Sequence, residues 1–87
     1  MEREYHVLRW TQMSNYINYG KRELAFLLND ERFLIYRNPN NKFKKHLGFT
    51  VGWHKIHNEI TKKHSYESRL TIFDHKKLML FKIKYGL

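Results

Sequence analysis

From Met13 to Leu28 the chain carries its one long helical period, and that stripe constrains everything around it. At about 100° per residue, Met13, Tyr16, Ile17, Gly20, Leu24, Leu27 and Leu28 fall within roughly 120° of arc. Asn15, Asn18, Arg22 and Glu23 lie on the far side. An apolar stripe of this width has to be covered. Ser14 is the expected N-cap and Asn29 the expected left-handed C-cap. Gly20, on the stripe itself, predicts close approach of another element, most simply a strand.

What can cover the stripe is limited. The chain has 87 residues and no cysteine, so it forms one domain, residues 1–87, with neither a disulfide framework nor a thiolate nucleophile. Its core must come from side chains alone, and fourteen Phe, Tyr and Trp residues are available for it.

The flanking segments supply candidate strands. "YHVLRW" predicts a strand over residues 5–11, and the compact apolar run "RFLIYR" predicts another over 32–37, covered on both faces or completed by a partner subunit. Pro39 ends that strand and makes "NPNNKFKKH" a loop with exposed lysines. "LGFTVG" reads as a brief strand or a turn. Trp53, Ile56 and Ile60 share a face at helical spacing, which predicts a helix over 53–64. "RLTIF" and "LMLFKIKY" around "DHKK" predict a hairpin, with Met79, Phe81, Ile83 and Tyr85 facing the core. The order β-α-β-α-β-β defines a small two-layer α+β domain. Its mainly antiparallel sheet has about four strands, with two helices on one face.

Charge is placed unevenly. Residues 1–31 sum to −1, whereas residues 32–64 hold eight Lys and Arg against Glu59 alone, a net of +7 out of the chain's +9. Four of the six histidines, His46, His54, His57 and His64, lie in the same basic middle.

That cluster fits three chemistries. One ion needs nitrogens converging at about 2.0–2.1 Å. On a helix, His57 and His64 would stand about 10.5 Å apart along the axis and could not share it. His54 and His57 could, with His46 as the only local third ligand, and no carboxylate is spaced to help; no metal and no cofactor is expected. Metal-free ribonuclease chemistry needs a base, an acid and a cation, and His46, His54 and Lys45 are the residues that could supply them. Nothing in their spacing requires it, so the expectation is a protein without chemistry of its own.

The third chemistry is binding. Lysines neutralise phosphates and aromatics between them stack on unpaired bases. Arg37, Lys42, Phe43, Lys44 and Lys45 on the loop join Lys55, Asn58, Lys62 and Lys63 on the expected helix as a nucleic-acid-binding face, DNA or RNA. Phe43 is the first candidate for stacking and Tyr66 the second, unless Phe43 folds back into the core; Phe49 and Trp53 are expected to be core residues. The runner-up partner is an acidic host protein, inhibited by a phage-type or mobile-element protein, a source that the Lys-, Asn- and Ile-rich composition suits. A homodimer through the Phe33–Tyr36 strand is also expected to be accessible. With no apolar run near 20 residues and no signal-peptide core at the N-terminus, the expected location is the cytoplasm, the host's if the chain is viral, with no membrane partner.

Overall fold

In the computed structural model, which describes residues 3–37 and 39–87, a three-stranded antiparallel sheet carries three helices. Strand β1 (Tyr5–Leu8) leads into helix α1 (Trp10–Leu27), followed by a 3₁₀ turn (Glu31–Leu34). Helix α2 (Asn40–Lys42) runs on into a π-helical turn (Phe43–Leu47). Then come β2 (Phe49–Asn58), β3 (Lys63–Ile72) and helix α3 (His75–Tyr85). The strand order is β1-β3-β2. The α+β class holds; the four-strand sheet and its strand order do not.

Helix α1 forms where the stripe requires it but starts three residues early. Gln12 Oε1 accepts from the Arg9 backbone N–H at 2.9 Å, so the entry is fixed there and not at Ser14. Asn29 does take the left-handed conformation, at φ 50°. The neighbour that needs Gly20 is an aromatic ring and not a strand: a Cβ at Gly20 would lie 2.7 Å from Phe43 Cζ.

The segment expected as a loop is helical because it has a core residue at each end. Pro39 O accepts from the backbone N–H groups of Lys42 and Phe43, both at 3.0 Å, and the π turn brings Phe43 and Leu47 inward together. Lys42, Lys44 and Lys45 point outward, as expected. Gly48, at φ 77°, closes the turn, and its carbonyl accepts from Phe73 N and Asp74 N. Asn38 of the expected loop lies outside the described residues.

"RFLIYR" is not a strand. Asp30 accepts from Arg32 N at 3.1 Å and pairs with the Arg32 guanidinium at 2.8 Å, which winds the chain into a 3₁₀ turn. Only Phe33 of this run is buried, in edge contact with Tyr36. No strand edge is therefore present at Phe33–Tyr36 for a dimer to extend.

The C-terminal hairpin is likewise replaced. β3 ends at Ile72, and Asp74 accepts from Lys77 N at 3.1 Å, an N-cap that starts α3. Gly86, left-handed at φ 69°, ends it. On a helix Leu78 and Phe81 turn inward with Tyr85 beside them, whereas Met79 and Ile83 are exposed and not in the core.

Phe49, Val51, Leu70 and Ile72 share one face of the sheet and are all buried against α1, the π turn and α3. Phe49 sits at the centre, 5.0 Å from Phe81, 5.5 Å from Phe43 and 5.7 Å from Tyr16 between ring centroids. Glu23, expected on the polar side of α1, is 6% exposed and accepts from Lys84 Nζ at 2.8 Å, which ties α1 to α3. That hydrogen bond raises the Lys84 pKa. Asn40 guards the free edge of β2: its side chain donates to Val51 O at 2.9 Å and accepts from Val51 N at 3.0 Å, mimicking a further strand.

Candidate functional site

The residues expected to form a basic helix form a projecting β-ribbon instead. β2 and β3 pair in register from Phe49↔Ile72 to Asn58↔Lys63, and β1 pairs with β3 only over Ser68–Thr71. Past Ser68 the ribbon is two-stranded among the described residues, and none of its residues from 53 to 67 is buried. The molecule measures 49 × 26 × 23 Å, long in keeping with such an arm. Gly52 and the β-branched Thr50, Val51 and Ile56 oppose a helix here. Asn58 Oδ1 accepts from Ile60 N and Thr61 N, and Lys62 is left-handed at φ 54°, so the chain reverses at residues 59–62. The Asn58 side-chain oxygen is thus engaged in forming the turn.

Alternation sorts the arm into two faces. One continues the buried face of the sheet: Phe49, Val51 and Leu70 are followed by Trp53, then the facing pair Lys55 and Tyr66, then His57 facing His64. The other carries His54 facing Glu67, Ile56 facing Ser65 and Asn58 facing Lys63. Where the core stops, the first face turns outward. Trp53 is 53% exposed and Tyr66 63%, and Trp53 is thus not the core residue expected. Trp10, at the start of α1 and 70% exposed, stacks on Trp53 with centroids 6.2 Å apart and planes 28° from parallel.

The expected single face divides in two. Lys55, Lys62 and Lys63 lie on the arm, whereas Lys42, Lys44 and Lys45 lie at the base beside the start of β2. Along β2, Lys55 lies roughly 20 Å and the tip lysines roughly 30 Å from the base. At the base, the Lys44 ammonium and the Arg3 guanidinium lie 4.6 and 4.3 Å from the Phe73 ring centroid. Lys77 Nζ donates to Lys45 O at 3.0 Å. Arg3, Lys44, Lys45 and Lys77 line a cavity of about 360 Å³ with Asp74. Arg37 is exposed after the 3₁₀ turn. Phe43 is fully buried and cannot stack on a base. Of the aromatic candidates, Tyr66 is on the surface. Trp10, expected at the end of a strand over 5–11, is the first residue of α1, because β1 stops at Leu8 and the helix entry is fixed at Arg9; nothing in the local pattern marks it as a surface residue.

The histidines are regrouped too. His57 and His64 face each other across the ribbon with Nδ1 atoms 3.3 Å apart, where helical geometry would hold them apart. His75 Nε2 lies 2.9 Å from Glu4 Oε2 and His6 Nε2 lies 3.8 Å from Glu4 Oε1. Among the described residues no three His, Asp or Glu side chains converge to hold a metal ion. His46 lines an apolar cavity with Leu47, Leu80 and Phe81, and His54 faces Glu67 on the arm, so His46, His54 and Lys45 do not meet as a trio. No helix among the described residues is long and apolar enough to cross a membrane.

Burial first, and then the ammonium groups of Lys45, Lys42 and Lys77, hold the His46 pKa below its ordinary value. The unfolded chain therefore binds the proton more readily. The stability that neutral His46 contributes is complete above about pH 6.5 and is lost as pH falls through the lower folded-state value. Urea midpoints measured either side of that range should fall on acidification, and less so in His46→Gln.

Compared with known families, curated proteins and solved structures, the chain matches no family model, no curated protein and no structure.

Proposed function

We propose that the chain binds nucleic acid through its projecting ribbon and does no chemistry of its own. The observation that carries this reading is the outward continuation of the core face as Trp53, Tyr66, Lys55, His57 and His64, with Trp10 stacked beside it. A two-stranded ribbon fits the major groove of a duplex, and exposed aromatic faces serve equally as platforms for unpaired bases. Lys62 and Lys63 at the tip reach phosphates from either mode. The arm thereby retains Lys55, Lys62 and Lys63 from the residues first singled out, and replaces Phe43 and Asn58 with Trp53, Trp10 and Tyr66.

A second reading, docking on an acidic partner protein, is favoured by α3. Its exposed Met79, Leu80 and Ile83 alternate with Lys76, Lys77, Lys82 and Lys84, an apolar surface with a basic rim.

Salt separates the two. Three lysines on three phosphates give a loss of roughly fortyfold in duplex affinity between about 50 and 200 mM salt, and of roughly twentyfold for a single strand. Anisotropy of labelled DNA and RNA in both forms measures this directly. The chain's only two tryptophans are the stacked pair, so their fluorescence should change in the same titration. Absence of binding at low salt would remove the nucleic-acid reading and leave the α3 surface to pursue.

A further inference from the structure

The ribbon tip holds a feature that nucleic-acid binding does not require. We propose that the Nδ1 atoms of His57 and His64 chelate one divalent ion of the late first-row series, with zinc the physiological choice, and so staple the arm near its turn.

The geometry comes from the register. His57 and His64 are directly cross-strand, one pair in from the Asn58↔Lys63 pair that flanks the turn. Their Nδ1 atoms are 3.3 Å apart and their ring centroids 4.7 Å apart. Two imidazole nitrogens, each about 2.05 Å from a tetrahedral ion, stand roughly 3.3 Å from one another, so an ion fits the pair with little movement of either strand. Both rings are exposed, which leaves the remaining positions of the ion open to water. Chelation through both Nδ1 atoms requires each neutral ring to keep its proton on Nε2. The ring that donates to the other in the free pair changes tautomer to do so.

Ligand type sets the class of ion. Two imidazoles without a carboxylate suit zinc, copper or nickel and not calcium or magnesium, which demand oxygen donors. Of the two carboxylates on the arm, Glu67 is on the opposite face of the ribbon and is held by Arg69, and Glu59 lies in the turn; neither makes a group of three with the histidines among the described residues. Lys55, two residues from His57 on the same face, opposes a bound cation and makes the site weaker than a closed structural one.

The purpose of such a staple follows from the fold. An isolated two-stranded hairpin is marginally stable in water, and beyond Ser68 this arm is one. Joining residues on opposite strands beside the turn holds the tip in register. The chelation stands whether or not the arm binds nucleic acid.

The test is calorimetric titration of the full chain with a zinc salt near neutral pH, in the absence of nucleic acid. One ion per chain is expected. His57→Ala and His64→Ala should each weaken binding by at least about tenfold, and the double variant no further, because both remove the same chelate. His54→Ala, on the opposite face, should keep the affinity within about twofold, and excess magnesium should not compete. Zinc should also slow amide exchange at Ile56 and Ser65. All three positions are exposed, so the variants fold, which circular dichroism checks. Failure to saturate with zinc, or single variants that retain wild-type affinity, would overturn the proposal.

Discussion

Replacing Phe43 with alanine should cost about 3–5 kcal/mol of stability, the range for emptying a fully packed phenylalanine site. Against a total of about 5–15 kcal/mol for an ordinary domain, that is enough to leave much of the protein unfolded at 37 °C. The ring lies under Gly20 and against Phe49. Collapse around the hole is limited, because Gly20 has no side chain to move in and the π turn is fixed at both ends by Pro39 O and Gly48 N. Phe43→Leu, which keeps most of the volume, should cost about 1 kcal/mol. Urea denaturation of the two variants reads both values. The opposite pattern, normal midpoints with weakened nucleic-acid affinity, would mean that Phe43 is a surface stacking residue and that the turn packs differently from this structure.

How that residue was read in the sequence shows where local pattern carries information and where it stops. Helix α1 was legible because its period persists for more than four turns, and Asn29 was legible because a left-handed cap favours asparagine. Phe43 stood among lysines and asparagines, and although Leu47 follows four residues on at helical spacing, two apolar residues between Pro39 and Gly48 are too few to mark a stripe. The signals for α3 were present. Asp74 four residues before Leu78 and Gly86 after Tyr85 are start and stop marks of a helix, but the unbroken apolar run between them also satisfies a strand. Only burial of Leu78 with Phe81, three apart, decides between the two. The arm was the hardest to see. Alternation identifies a strand when one face is wet and the other dry, and beyond Ser68 both faces of this ribbon are wet. Trp53, Ile56 and Ile60 then matched a helical spacing by coincidence, although Gly52 and the reversal at 59–62 contradicted it. The charge distribution was legible throughout, since it needs no conformation. Its division between the arm and the base was not.

That division makes the second large effect a matter of two signatures and not one. If bases stack on the aromatic step of the arm, Trp53→Ala should weaken nucleic-acid binding by about 1–3 kcal/mol, roughly five- to 150-fold in Kd. Trp53 is half exposed and stacks on the more exposed Trp10, so the fold should lose little. Because no phosphate contact is removed, the salt dependence of the variant should keep its wild-type slope. Lys55→Ala, opposite Tyr66 on the same face, should do the reverse. It lowers affinity modestly and reduces the slope of log K against log salt by about 0.9 on duplex DNA, one phosphate's worth. Lys44→Ala with Lys45→Ala, about 20 Å away at the base, should leave the slope unchanged if the arm alone is engaged. A slope that falls in the base variant and holds in Lys55→Ala would place the polyanion on the Arg3, Lys44, Lys45 and Lys77 cavity. A fall in both would mean a ligand long enough to run the length of β2, which a duplex of about ten base pairs already is. Measured with a short single strand and a longer duplex, the same variants therefore report both which basic group is used and how far the bound polymer extends along the molecule.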